Sequence, residues 1–164
     1  MTPVKDLALD DSTLVQAIAS VTDPEIPVLS VVDMGIIVGV RNADGAVEID
    51  ITPTFSGCPA LDVIRREIKE AVLRAGARSA EVRIVYHPPW TSDRLTPEGR
   101  RKLKEFGLAP PGARCGSSPN LDRVACPLCN SDNTEMESLF GPTLCRSIHY
   151  CRDCLQSFEH FKAV

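Results

Sequence analysis

Apolar residues Leu14, Ala17, Ile18 and Val21 recur at helical spacing behind a possible cap at Ser12 or Thr13, which predicts a helix over Ser12 to Val21. Asp23-Pro24-Glu25-Ile26-Pro27 ends it, because two prolines three apart interrupt any continuing helix. Met34 to Val40 is mostly aliphatic and β-branched and leads into Asn42-Ala43-Asp44-Gly45. Beyond that turn Val47, Ile49 and Ile51 alternate with Glu48, Asp50 and Thr52. This is the signature of a β-hairpin with one buried face. After Pro53-Thr54-Phe55-Ser56-Gly57-Cys58 a second helix opens at Pro59. Its stripe is Leu61, Ile64, Ile68, Ala71, Val72 and Ala75, and its stop is Gly76. Val82, Ile84 and Tyr86 alternate as a third strand. A strand–helix–strand unit crosses over right-handed, so this strand should lie parallel to the second. A short helix is expected over Pro97 to Phe106, with Arg100, Arg101, Lys102 and Lys104 forming a solvated face.

Gly107 to Arg123 is rich in Pro, Gly, Ser and Ala without periodicity and reads as a linker; Cys115 within it reads as a bystander. Strand patterns resume at Thr134 to Phe140, Leu144 to Tyr150 and Ser157 to Phe161, with a Gly141-Pro142 turn between the first two. The expected fold class is α+β: a small mixed β-sheet with helices on one face over residues 1–106, a linker over 107–123, and a C-terminal β ribbon over 124–164.

The ribbon carries the strongest chemical signal. Cys126-Pro-Leu-Cys129 and Cys151-Arg-Asp-Cys154 are separated by 21 residues. Each CxxC turn presents two sulfurs to one ion, and two such turns complete a tetrahedral site. Structural zinc is the first expectation; a tetrathiolate also suits a single iron, and an iron–sulfur cluster is a lesser option. In so small a segment metal binding supplies much of the folding free energy. His149, two residues before Cys151, is read as a strand residue in preference to a substitute ligand. Cys145 is six residues from Cys151, about 20 Å along an extended strand, and is not expected on the same ion.

Cys58 is the second candidate. It adjoins the N-cap of the longest helix, where unpaired N–H groups and the helix dipole favour a thiolate. Thr54 adds a hydroxyl, and Asp33 and Glu25 are carboxylate companions near turns. A thiolate there can ligate a metal transiently or attack an electrophile; the alternative is a small buried residue.

Composition narrows the classes. The chain has 164 residues, of which 43% are hydrophobic and 24% charged, as in a globular protein. No apolar run approaches the roughly 20 residues of a membrane helix. Met1 to Asp10 lacks the basic start and apolar core of a signal peptide, so a cytoplasmic, reducing setting is expected. There the seven cysteines serve as metal ligands or reactive thiols more readily than as disulfides. Both parts are mildly acidic, with 15 Lys+Arg against 17 Asp+Glu up to Arg123 and 3 against 5 from Val124. This weighs against nucleic-acid binding. No nucleotide-binding glycine loop, HExxH or Ser/His/Asp arrangement is present, and three histidines are too few for a histidine-rich di-iron site.

Asp23-Pro-Glu-Ile-Pro27, Val32-Asp33-Met34-Gly35-Ile36 and Ile51-Thr-Pro-Thr-Phe-Ser-Gly-Cys-Pro59 resemble the small domain of iron–sulfur assembly factors. Pro88-Pro-Trp-Thr91, Gly107-Leu-Ala-Pro-Pro111, Phe140-Gly-Pro-Thr-Leu-Cys145 and the terminal ribbon resemble the PaaD (PaaJ) family of bacterial phenylacetate degradation. The resemblance spans nearly the whole chain. It implies a non-catalytic accessory protein of the multicomponent phenylacetyl-CoA epoxidase, whose partners are a di-iron oxygenase and a flavin and [2Fe–2S] reductase. The implied role is helping to install iron or an iron–sulfur cluster, handled transiently by the N-terminal domain. Cys58, Asp33 and Glu25 fall in the shared motifs, the four ribbon cysteines match directly, and Cys145 falls in a family motif. Met34 stands where leucine is common. Competing expectations are a subunit stably bound in the oxygenase complex, a zinc-ribbon partner of nucleic acid or transcription proteins, and an enzyme using Cys58 as nucleophile, for which no base is identifiable. A homodimer would bring two Cys58 thiolates onto one cluster.

Overall fold

The structure, a computed structural model, describes residues 11–112 and 124–162. Helix α1 (Asp11–Ala19) buries Leu14 and Ile18, one turn apart. It leads into two short antiparallel strands, β1 (Thr22–Asp23) and β2 (Ile26–Ser30). The hairpin β3 (Ile37–Ala43) and β4 (Ala46–Ile51) closes through Asp44 and Gly45, both at positive φ, with Ala43 opposite Ala46. That two-residue turn matches the twist of its strands. Helix α2 (Ala60–Arg74) crosses over to β5 (Ser79–Ile84), which pairs parallel to β4, giving the order β3-β4-β5.

The faces of this sheet separate by chemistry. Val47, Ile49, Ile51, Ala80 and Val82 are buried together with Leu61, Ile64, Ile68 and Val72 of α2. On the opposite face Arg41 and Arg83 each pair with Glu48 and Asp50 across three strands. Helix α3 (Pro97–Glu105) starts at Thr96, whose Oγ1 accepts from the Gly99 amide at 2.9 Å, and buries Leu103 completely. Its cations are more engaged than a solvated face requires. Lys102 Nζ donates to Asp33 Oδ2 at 2.6 Å, and Arg100 donates to the carbonyls of Ser92 and Pro111.

The expected linker differs at its start. Leu108–Ala109 form a strand, β6, buried and paired parallel to the last strand of the ribbon; residues 113–123, with Cys115, lie outside the described residues. The ribbon sheet has the order β6-β9-β8-β7, where β7 is Thr134–Ser138, β8 is Arg146–Cys151 and β9 is Gln156–Phe161. Phe161 at the end of β9 is 1% exposed and belongs to the same core as α1, α2 and the first sheet. Its ring meets Trp90 edge-on at 5.9 Å between centroids, and Trp90 Nε1 donates to the Met34 carbonyl at 2.8 Å. The ribbon is thus stitched to the N-terminal lobe through β9, by β6 along its edge and by Phe161 at its end.

Phe161→Ala removes a fully buried ring from that junction and should lower stability by about 3–5 kcal/mol, the range for buried aromatic truncation. The midpoint of urea denaturation measures it. A loss below about 1 kcal/mol would mean that the junction collapses around the gap at little cost.

Candidate metal and thiol sites

Both CxxC turns of the ribbon end in a residue with left-handed backbone, Asn130 at φ 61° and Leu155 at φ 59°. Leucine adopts that conformation reluctantly, so the turn is held by its surroundings. The Cys126 amide donates to the Ser131 carbonyl and the Asn130 amide to the Cys126 carbonyl. Asp153 ties the two turns together, accepting from Ser131 Oγ at 2.5 Å and from Asn133 Nδ2 at 2.7 Å.

The four sulfurs of Cys126, Cys129, Cys151 and Cys154 lie within 4.8 Å of one another. Cys126 and Cys154 are 3.7 Å apart, Cys129 and Cys151 3.5 Å. A metal about 2.3 Å from four tetrahedral sulfurs needs sulfurs about 3.8 Å apart, so the set fits zinc or a single iron. Amide donation from Cys154 and Asp153 holds the Cys151 thiol down at about 7. Burial, with the neighbouring thiols, pushes Cys154 up to about 12. A bound cation removes that conflict by taking all four as thiolates. His149 is a buried strand residue stacked on Phe158 with its Nε2 3.1 Å from Ser147 Oγ, and stands outside the sulfur cluster.

A second site lies between the lobes. A cavity of about 380 Å³ is walled on one side by Asp23, Glu25, Thr54, Phe55 and Cys58 and on the other by Phe140 to Cys145 of the ribbon, with Met34 and Phe161 among its apolar walls. Glu25 and Thr54 therefore line the same cavity as Cys58. Asp33 does not line it. Its carboxylate accepts from the Ser30 amide, Thr96 Oγ1 and Lys102 Nζ, fastening the β2 turn to α3. Burial pushes Asp33 up, but Lys102 and Ser30 outweigh it and hold the carboxyl below the usual range. Gly35 completes this turn at φ +66°, where a Cβ would fall 2.1 Å from the Arg94 carbonyl oxygen.

The expectation of a helix-stabilised thiolate at Cys58 is corrected. Half-buried Cys58 precedes Pro59, the N-cap of α2, and the amides of Ala60 and Leu61 do favour its anion. Burial works harder the other way, with smaller contributions from neighbouring Cys145 and Asp23, and the thiol ends above its ordinary value. The ribbon supplies one of those neighbours and one wall of the cavity, neither of which local sequence contains.

Three further residues at this site carry little signal in the sequence. Asp23, 6% exposed, looks there like no more than part of a helix breaker. Its Oδ1 accepts from the Glu25 and Ile26 amides at 2.7 and 3.1 Å, a turn that its place before Pro24 could have signalled. Burial pushes its carboxyl above the usual range despite those amides and Arg146. Arg146, 7% exposed, donates to the Glu25 carbonyl at 2.6 Å and to Glu159 at 2.8 Å, joining ribbon to loop. Lys162 places its ammonium 5.5 Å from the Phe55 ring centroid and 5.6 Å from that of Phe140.

The comparisons with known proteins fall on the same two lobes. The family profile described as "Iron-sulfur cluster assembly protein" matches residues 11–84, and the "PaaD zinc beta ribbon domain" profile matches residues 111–162. An Escherichia coli (strain K12) protein, described as a subunit of a "Putative 1,2-phenylacetyl-CoA epoxidase", is 35% identical over 147 residues, covering 90% of this chain and 89% of its own. The chain belongs to the PaaD family. The "Fe-S protein maturation auxiliary factor YitW" of Bacillus subtilis (strain 168) is 37% identical over 82 residues, 49% of this chain and 79% of that one. The crystal structure of a domain of unknown function (DUF59) from Bacillus anthracis superposes with a TM-score of 0.52 at 24% identity, over 58% of this chain and 92% of that one, and shares the fold. The PaaD-family chain thus joins an assembly-type α+β domain to a zinc-ribbon module. No helix among its described residues is long and apolar enough to cross a membrane.

Two measurements test these sites. Trp90 is the sole tryptophan and touches Phe161, so stripping the ribbon metal with a chelator should shift its emission although it belongs to the other lobe. Metal loss with unchanged emission would show that the ribbon stays seated without its ion. Alkylation of Cys58 by iodoacetamide, followed by mass spectrometry, should be slow at pH 7 and still accelerating past the ordinary thiol value of about 8.5. The sign follows from the raised thiol, which carries less anion at neutral pH than a free cysteine. A rate that levels off below that value would contradict the burial argument.

Proposed function

We propose that this PaaD-family chain is a non-catalytic accessory protein of the multicomponent phenylacetyl-CoA epoxidase, acting in maturation. It assists insertion of iron or an iron–sulfur cluster into the reductase or oxygenase component. The N-terminal lobe handles the cargo at Cys58, with Glu25 and Thr54 beside it, and the ribbon, held by zinc or iron, recognises the client. The observation that carries this reading is the cavity at Cys58, built jointly by an assembly-type domain and a ribbon. Likeness to maturation auxiliary factors over the N-terminal half and to an epoxidase subunit over most of the chain supports it. The Cys58 thiol is pushed up by burial, which leaves it a poor nucleophile at neutral pH unless a partner takes its proton.

Deleting the gene should leave the reductase component produced but without its cluster, read from iron and acid-labile sulfide in the purified component. Fully loaded reductase and oxygenase from the deletion strain would sink the proposal.

A second reading, a subunit resident in the oxygenase complex, is favoured by the apolar hairpin tip of the ribbon, where Phe140 is 68% and Leu144 49% exposed. It requires stoichiometric co-purification with the oxygenase polypeptides. Active complex lacking the chain would exclude it.

A further inference from the structure

Strand β5 is the outer strand of its sheet, with β4 on one side and no strand on the other among the described residues. The ladder decides which of its backbone groups face outward. The Val85 amide donates to the Ile51 carbonyl at the end of β4, and the Ser79 amide to that of Gly45 just before it. Donors recur at every second residue of a parallel ladder, so Glu81 and Arg83 also turn their amides to β4. Ala80, Val82 and Ile84 therefore point theirs away from it. Ala80 and Val82 each keep 8% of their surface exposed, against 2% or less for Val47, Ile49 and Ile51 of β4.

Other outer strands are blunted. β3 and β7 each carry a register shift against their neighbours, and β6 is two residues long. The six residues of β5 pair without a shift and include neither proline nor lysine. Such an edge is a template for another strand. The side chains select which one. Ala80 and Val82 pack into the core with α2, while Glu81 and Arg83 are exposed on the other face. Arg83 spends Nε and Nη2 on Asp50 and Glu48; among the described residues nothing engages its Nη1 or the Glu81 carboxylate.

We propose that β5 is a dimerisation edge, on which a second copy of this chain lays its own β5 antiparallel about a twofold at Val82. Val82 then faces Val82 and Ala80 faces Ile84, so every outward amide meets a carbonyl. Between these pairs Glu81 falls opposite the second copy's Arg83, once on each side of the twofold. Those are the non-hydrogen-bonded positions, where side chains approach closest. Sliding the strands by two residues in one direction sets Glu81 against Glu81, and in the other Arg83 against Arg83, and like charges placed so are destabilising. The edge is thus self-complementary in one register, as an isologous contact requires. The inference does not depend on the maturation reading, but it bears on it. β4 runs parallel to β5 toward the loop of Cys58, and the twofold reverses the strands. The two Cys58 loops lie at opposite ends of the shared sheet, so each copy works its own cavity and the thiols do not meet on one cluster.

Sedimentation velocity of the full, zinc-loaded chain and amide exchange by NMR, both over a range of concentration, form the test. The chain should pass from monomer to dimer as concentration rises. The amides of Ala80, Val82 and Ile84 should gain protection in step, while those of Glu81 and Arg83 stay protected throughout. Glu81→Arg should weaken the dimer about tenfold or more, since two attractive cross-strand pairs become repulsive. Retained zinc and an unchanged amide spectrum away from β5 verify that the variant folds. A chain that stays monomeric up to its solubility limit would overturn the proposal. A dimer that Glu81→Arg leaves intact, or whose three outward amides exchange as in the monomer, would place the contact on another face and also overturn it. Protection of those amides in the monomer would do the same, by showing the edge covered from within one chain.

Discussion

The burial of Phe161 is the constraint on which the rest depends. A residue seven positions beyond the last ribbon cysteine fills the core of a domain that begins at the other end of the chain. With Phe161 seated against Trp90, strand β9 has one orientation, and strand β8, paired to it, must then present Arg146 to the Glu25 carbonyl and its hairpin tip to the Cys58 loop. A cation on the four cysteines would fix the ribbon internally, and Phe161 fixes it externally.

The two sites treat ionisation in opposite ways. In the ribbon, four sulfurs are crowded to the spacing a tetrahedral cation needs, and amides already lower the Cys151 thiol. At the cavity, the thiol of Cys58 is kept protonated by burial and by its neighbours, and the space beside it is far larger than one ion. The first arrangement suits permanent occupancy, the second an occupant that arrives and leaves.

Much of this is readable in the sequence, because it depends on local pattern. The hairpin at Asp44-Gly45, the α2 stripe, the parallel β5 and both CxxC turns are each set by residues within a few positions. What the sequence hides is what depends on distant contacts. Cys58 at a helix start reads as a thiolate until the ribbon removes its solvent. Asp33 reads as a companion of Cys58 until Lys102 claims it from 69 positions away. Leu108 and Ala109 sit in a stretch whose composition looks unstructured, and become a strand only because β9 offers them an edge. Arg146 carries no signal of its own that separates it from an ordinary strand residue.

That edge has a bearing on how the two modules came to share one chain. Strand β6 precedes the first ribbon cysteine yet covers the outer side of β9, the final strand. A ribbon cut free at the start of its cysteines would expose β9 as a bare row of amides and carbonyls, ready to pair with any passing strand. The module is therefore not a detachable cassette. A ribbon placed elsewhere would need Leu108 and Ala109, or another strand, against that edge.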